Sequence, residues 1–229
     1  MLTNLVDKVS PRSAAVLVMD IQNDFAADDG FFAHNGRNVK PLQEMVPTLE
    51  RFIQQGRKAG VPIIFIRAIY DDHYLSEPIR LRHQRNNLPP QYCRSGTWGA
   101  DFYRLKPLRN EPVIDKHRYN AYTGTHLDAL LKKLGVETVI CTGNATNVCV
   151  ETTARDAYAR DYHVVIVEDC CATPYGQEFH HMALENCRRT YGEVCKSEEL
   201  IDLWMEDVSC EVSKEEKNYL KLSSKKSKC

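Results

Sequence analysis

Short apolar runs rich in β-branched residues alternate along this chain with longer segments of helical periodicity. The runs at 14–19, 61–66, 136–142 and 163–168 each have the length of one strand. Their hydrophobicity is nearly continuous, which is typical of parallel strands in a sheet that is covered on both faces. The pattern therefore predicts a parallel sheet in the middle of the fold.

Helical patterns occupy the segments between these runs, at 39–59, 125–135, 147–160 and 177–190. The first is followed by Gly60, a residue well suited to end a helix. Thr125 and Asp128 resemble a capping box at the start of the second, with Asp in place of Glu. Strand–helix alternation implies right-handed crossovers. We therefore expect a three-layer α/β/α sandwich with a mainly parallel, doubly wound central sheet.

One domain is expected for residues 1–207, because 229 residues with 43% hydrophobic side chains suffice for a single core. Residues 68–110 lack periodicity and are rich in Arg, Asn, Pro and aromatic side chains. We interpret them as an irregular insertion that forms a lid over the substrate. Residues 208–229 are rich in Lys and Ser, which predicts a solvated tail.

Composition argues against several classes of function. The 30 basic side chains nearly balance the 31 acidic ones, so no nucleic-acid partner is expected. No apolar run approaches the roughly 20 residues that span a bilayer, and no secretory signal is visible. The nine cysteines are odd in number and include no C-x-x-C pair, which disfavours disulfides and a zinc ribbon. We expect a cytoplasmic protein without a membrane partner.

Three polar residues follow predicted strands, at the sheet edge where α/β proteins bind ligands. Asp20 comes directly after the first strand, and partial burial there would suit it to proton transfer. Lys116 is delivered by the short strand in PVIDKHRY and would favour a nearby carboxylate or thiolate. Cys149 lies in the first turn of a helix, where the helix dipole would lower the pKa of the thiol.

Each of these residues also has a purely structural interpretation. Asp20 could serve as a turn or N-cap residue, which is the more frequent role of an aspartate at such a position. Lys116 could be an exposed solubilising side chain, and Cys149 could be a buried structural thiol. Taken one at a time, the three positions leave these alternatives open.

The segments DIQNDF, VIDKHRY and GNATNVCVETTARDA together resemble the three signature segments of the isochorismatase-like cysteine hydrolases. Nicotinamidases, N-carbamoylsarcosine amidases, biuret hydrolases and ureidoacrylate amidohydrolases belong to that family. The resemblance implies a catalytic triad of Asp20, Lys116 and Cys149. It also implies a non-proline cis peptide at Asn144–Ala145 and an oxyanion hole formed by the N–H groups of Ala145 and Cys149.

The presence of a nucleophilic cysteine distinguishes the C–N hydrolases of this family from the isochorismatases proper. Isochorismatases proper cleave an enol ether without a nucleophilic cysteine, so Cys149 favours C–N hydrolysis. Nicotinamidases also bind a metal through an Asp-x-His pair and a further His, which Asp71, His73 and His83 imitate only loosely. We therefore expect neither a metal nor another cofactor.

Among the subfamilies, the chain most resembles the ureidoacrylate amidohydrolases, with which it shares KHRY, GTW and ATNVCVE; biuret hydrolases are also similar. The resemblance implies a small amide, carbamoyl or ureido substrate and a thioester intermediate. The products would be ammonia, an amine or a carbamate. Asn23, Trp98 and Tyr119 are the expected substrate contacts. Relatives of this kind assemble as dimers or tetramers, so a homo-oligomer is expected.

Other functions stay open at this point. The chain could have isochorismatase-type activity or act as a metal-dependent nicotinamidase. It could also be a catalytically silent member of the fold that binds a ligand or senses redox state through Cys149. A dinucleotide-binding protein of the same architecture is disfavoured, because no G-x-G-x-x-G follows the first strand.

Overall fold

Six parallel strands form the centre of the protein, as a computed structural model covering residues 2–85 and 92–206 shows. The strands are β1 (Ala14–Met19), β2 (Ile63–Ala68), β3 (Val113–Lys116), β4 (Thr138–Asn144), β5 (His163–Ala172) and β6 (Glu193–Cys195). Their order across the sheet is β3-β2-β1-β4-β5-β6. The connection direction therefore reverses between β1 and β4, and a ligand crevice is expected at the carboxyl ends of these two strands.

Eight helices accompany the strands in the described part of the chain. They are α1 (Leu5–Lys8), α2 (Asn23–Ala26), α3 (Phe31–His34), α4 (Lys40–Lys58), α5 (Glu77–Arg85), α6 (Leu127–Lys133), α7 (Glu151–Ala159) and α8 (Gln177–Thr190). Residues 197–206 are helical as well. None of the described helices is long and apolar enough to cross a membrane.

Successive residues of β1 point to opposite faces of the sheet and enter two separate cores. Val16 and Val18 belong to a cluster that includes Phe52 of α4 and Trp204. Leu17 belongs to a second cluster with residues of α6, α7 and α8. Every residue of β1 is buried, as is typical of a strand covered on both sides. The predicted three-layer sandwich is confirmed.

The predicted elements differ from the structure mainly at their ends. The strands predicted at 61–66 and 136–142 begin two residues later than expected, at Ile63 and Thr138, and β5 continues to Ala172. The capping box is wrong: the N-cap of α6 is His126, which makes no side-chain cap hydrogen bond. Thr125 instead donates its hydroxyl to the carbonyl of Ala121 and accepts from the N–H of Leu127.

The segment at 68–110 is less irregular than predicted, because it contains the nine-residue helix α5. Its sequence gives no amphipathic signal, since His83 is the only buried residue of that helix. The predicted tail at 208–229 lies outside the described residues.

Gly143 connects β4 to the turn that carries Cys149, and it requires glycine on two counts. Its φ is 115°, a conformation that side-chain-bearing residues rarely adopt. A Cβ atom there would lie 2.1 Å from the carbonyl oxygen of Met19 on the neighbouring strand. The two backbones therefore approach as closely as they do only because no side chain separates them.

We expect Gly143→Ala to lower the free energy of unfolding by about 3 kcal/mol, since a backbone atom must move. Gly60→Ala is the matched control: its φ is also positive, at 78°, but nothing lies within 4 Å of the added Cβ. The control should cost only about 1–2 kcal/mol. Urea unfolding of the two variants and the wild type measures this, and equal midpoints for both variants would contradict it.

Candidate active site

Asp20, Lys116 and Cys149 lie at the carboxyl ends of three parallel strands. Asp20 is the first residue after β1 and has a φ of 55°, in the left-handed region that few non-glycine residues adopt. Lys116 is the last residue of β3, and Cys149 follows β4. Their exposed fractions are 1%, 0% and 7%. The solvent-exposed lysine, which the sequence alone left open, is therefore wrong.

Lys116 contacts both of the other residues. Its Nζ lies 2.8 Å from Oδ2 of Asp20 and 3.4 Å from Sγ of Cys149. The same nitrogen donates to the carbonyl of Arg118 at 3.1 Å. Oδ1 of Asp20 is buried and has no hydrogen-bond partner among the described residues. One carboxylate oxygen is thus held by the lysine while the other is available to accept a proton.

Burial acts in opposite directions on the pKa values of Lys116 and Cys149, whereas the charge of Asp20 raises both. Burial by itself lowers the pKa of Lys116, but the negative charges of Asp20 and of a Cys149 thiolate outweigh it, so the net pKa is raised. Burial raises the pKa of Cys149 to about 12; Lys116 opposes this rise and Asp20 adds to it. At neutral pH the site therefore holds a charged lysine and a neutral thiol. This corrects the lowered thiol pKa expected from the helix dipole.

The turn that carries Cys149 has an unusual backbone. The peptide bond between Asn144 and Ala145 is cis, which confirms the sequence-based expectation. The single helix predicted over 147–160 instead begins with a π-helical turn, Thr146–Val150, followed by α7. The carbonyl of Ala145 accepts hydrogen bonds from the N–H groups of Val148 and Val150. Turns of this type are frequent at functional sites.

Two buried polar side chains hold the loops around the site. Gln22 donates to the carbonyls of Ala68 and Ala100 and accepts from the N–H of Ala68 at 2.7 Å, which joins β1, β2 and a loop. Asp24 accepts from the backbone N–H groups of Phe31 and Cys93. These residues lie in the DIQNDF segment, but their loop partners are distant in sequence, so no local pattern indicated their role.

A cavity of about 40 Å³ opens beside the cysteine. Its floor includes Asp20, Asn144, Ala145, Val148 and Cys149. Aromatic rings form most of its walls, and two arginines complete them: Phe25, Phe32, Arg37, Tyr70, Arg82, Tyr92, Tyr119 and Tyr175. Apart from Tyr119, none of these wall residues was predicted. Phe25 lies in the DIQNDF segment, and the others come from separate loops and helices that no motif marks.

The three predicted substrate contacts lie in different places. Tyr119 lines the cavity. Asn23 donates its side-chain amide to the carbonyl of Trp98 at 2.7 Å, and the Trp98 side chain is 52% exposed. Neither Asn23 nor Trp98 is part of the cavity wall. Substrate contact by these two residues stays a prediction that the cavity does not support.

The three residues that loosely imitate a nicotinamidase metal site have other partners here. Asp71 accepts from the N–H and the hydroxyl of Ser95. Nε2 of His83 lies 3.1 Å from the hydroxyl of Tyr92, and the ring of His73 packs on Tyr74. Within 2–85 and 92–206, no three His, Cys, Asp or Glu side chains are arranged to hold a metal ion.

Comparison with known sequences points to one family. A family model described as an isochorismatase domain matches residues 14–199. Ureidoacrylate amidohydrolase RutB from Pantoea ananatis is 31% identical over 173 residues, which cover 70% of this chain and 69% of that protein. RutB from Yersinia enterocolitica is 32% identical over 173 residues, which cover 69% of this chain and 75% of the relative.

Solved structures with the same architecture include several hydrolases. A cysteine hydrolase from Pseudomonas syringae superimposes with a TM-score of 0.76 at 25% identity, covering 87% of this chain and 95% of that one. N-carbamoylsarcosine amidase from Thermoplasma acidophilum superimposes with a TM-score of 0.65 at 25% identity, covering 81% of this chain and 96% of that one. Nicotinamidase PncA from Bacillus subtilis superimposes with a TM-score of 0.68 at 26% identity, covering 80% of this chain and 99% of that one.

The opposing charges at Cys149 predict how its reactivity depends on pH. Asp20→Asn removes the charge that raises the thiol pKa, so at pH 8, where solvent can take the thiol proton in place of Asp20, more thiolate is present and alkylation of Cys149 should become faster. Lys116→Met removes the charge that lowers the pKa, so alkylation should become slower. The measurement is the rate of iodoacetamide labelling of the Cys149 peptide against pH, by mass spectrometry. Superimposable profiles for the three proteins would mean that the thiol senses neither residue.

Proposed function

The chain belongs to the isochorismatase family, and on that premise we propose that it is a cysteine hydrolase that cleaves a C–N bond of a small amide, carbamoyl or ureido compound. The observation that carries the proposal is the contact of buried Lys116 with both Asp20 and Cys149, two residues that line the cavity. Amidohydrolases among the relatives and structural neighbours support the same class of reaction.

In the first step, Asp20 accepts the thiol proton of Cys149 through its unpartnered Oδ1 as Sγ attacks the substrate carbonyl. A base is required here because the thiol pKa of about 12 leaves little thiolate at neutral pH. The new S–C bond converts the carbonyl oxygen into an oxyanion. The N–H groups of Ala145 and Cys149 hold it, each contributing about 3–4 kcal/mol in comparable sites.

The tetrahedral intermediate then collapses and the C–N bond breaks. Asp20 returns its proton to the leaving nitrogen, which departs as ammonia or an amine, and a thioester to Cys149 remains. Water attacks the thioester carbonyl while Asp20 takes one of its protons. Breaking the S–C bond releases the acid, or a carbamate from a ureido substrate, and Cys149 recovers its proton from Asp20.

Lys116 keeps its proton throughout the cycle. Its raised pKa means that it stays charged, so it serves to orient Oδ2 of Asp20 and to stabilise the thiolate as that charge develops. The ureido preference rests on the similarity to the RutB proteins. Assembly as a homo-oligomer stays a prediction from the family resemblance, and a cytoplasmic location stays a prediction from the composition of the sequence.

Cys149→Ala should lower turnover by at least about 10³-fold, because the nucleophile is lost. Cys195→Ala is the matched control, since Cys195 is equally buried but lies on β6. The assay is ammonia release from ureidoacrylate, N-carbamoyl amino acids, nicotinamide and biuret, with isochorismate followed separately. Mass spectrometry of the quenched wild type should detect an acyl adduct on Cys149. Retention of a tenth of the activity in Cys149→Ala would overturn the covalent mechanism.

Asp20 and Lys116 should behave as one unit. We expect Asp20→Asn and Lys116→Met each to be severely impaired, and the double variant to be little worse than either single one. Lys116→Met leaves a buried carboxylate without a partner, so it should also lose about 3–5 kcal/mol of stability that the double variant partly recovers. Steady-state rates and urea unfolding of all four proteins test both points. If the rate loss of the double variant equalled the product of the two single losses, the two residues would act independently.

A further inference from the structure

Two arginines in the cavity wall carry an inference about the substrate, which rests on the hydrolase function proposed above. We infer that the substrate carries a carboxylate group and that Arg37 and Arg82 bind it. These two side chains would then select ureido or carbamoyl acids over neutral amides of the same size. Neither residue belongs to the three segments that resemble the family signature.

The two arginines reach the cavity from separate elements and are held in similar ways. Arg37 lies between α3 and α4, and its guanidinium carbon is 5.1 Å from the ring centre of Tyr175. Arg82 lies on α5, and its guanidinium carbon is 5.5 Å from the ring centre of Tyr119. Both side chains are half-buried. Stacking on an aromatic face orients a guanidinium while leaving its N–H groups free to bind a ligand.

Neither arginine has an acidic partner within residues 2–85 and 92–206. Other arginines of the protein do: Arg57 binds Glu111, and Arg67 binds Asp115, each through two nitrogen–oxygen contacts. A partly buried guanidinium without a counter-ion is costly. Two of them in one cavity indicate that a ligand supplies the missing negative charge.

The charges of the cavity add up in favour of an anion. Among the described residues that line the cavity, Asp20 is the only acidic one, and Lys116 neutralises it at 2.8 Å. Arg37 and Arg82 therefore leave the lining with two uncompensated positive charges. A planar carboxylate matches the fork of a guanidinium and can bind it through two parallel hydrogen bonds, which makes a carboxylate the anion that we assign here.

The first experiment measures the charge preference without turnover. Iodoacetate and iodoacetamide both alkylate Cys149 by losing iodide, and they differ in charge. The ratio of the iodoacetate rate constant to the iodoacetamide rate constant should fall by about tenfold in Arg37→Gln and in Arg82→Gln, because each variant loses a charge-assisted hydrogen bond to the carboxylate. Arg85→Gln is the matched control, since Arg85 is on the same helix but exposed and outside the cavity wall. Its ratio should equal that of the wild type.

The second experiment measures selection during catalysis, with N-carbamoyl-β-alanine and its methyl ester as the probes. For the acid, kcat/KM should fall about tenfold or more in each arginine variant, mainly through KM, and Arg→Lys should recover part of it. For the ester, which has no carboxylate to bind, kcat/KM should fall by much less than it does for the acid. Acetate, which is itself a carboxylate, should protect Cys149 from alkylation better than the same concentration of inorganic phosphate does.

The two proposals can fail separately. An iodoacetate-to-iodoacetamide ratio that is the same in the wild type, Arg37→Gln, Arg82→Gln and Arg85→Gln would overturn the carboxylate site. So would equal losses for the acid and the ester. Neither result affects the hydrolase proposal, which fails instead if Cys149→Ala retains turnover.

Discussion

The ion pair between Lys116 and Asp20 is the interaction on which the site depends. Both charges are removed from water, and such burial is tolerated only when each charge has a close partner. The parallel sheet provides this, because β1 and β3 bring the two residues to the same edge from positions 96 apart in sequence. Breaking the pair by changing one residue leaves an uncompensated charge in the core. Stability and chemistry are thus linked at the same two side chains.

Burial also explains why the cysteine needs assistance. At its buried position, the pKa of the Cys149 thiol rises far enough that the nucleophile is mostly protonated at neutral pH. Asp20 can accept the thiol proton through Oδ1, which has no hydrogen-bond partner among the described residues, and Lys116 lowers the energy of the thiolate once it forms. Burial also strengthens electrostatic contacts with the substrate, including those we assign to Arg37 and Arg82.

The walls of the cavity depend on polar contacts between loops. Gln22 and Asp24 bind backbone groups of segments that are up to 78 positions away. These contacts place aromatic rings and arginines from several elements around one cysteine. Asn23, expected to touch the substrate, is used for the same purpose, since its amide holds the carbonyl of Trp98. Within the DIQNDF segment, we therefore assign Asp20 to the chemistry, whereas the next polar side chains hold loops in place: Gln22, Asn23 and Asp24.

The sequence by itself determined the layered parallel fold, its main strands and helices, and three candidate residues at strand ends. Those features follow from local periodicity and from the rule that parallel strands end at one edge. Helix α5 escaped prediction because only His83 in it is buried. The thiol pKa, the unpartnered Oδ1 of Asp20 and the wall arginines were decided only by tertiary structure. Each is set by burial and by neighbours distant along the chain, which no local pattern encodes.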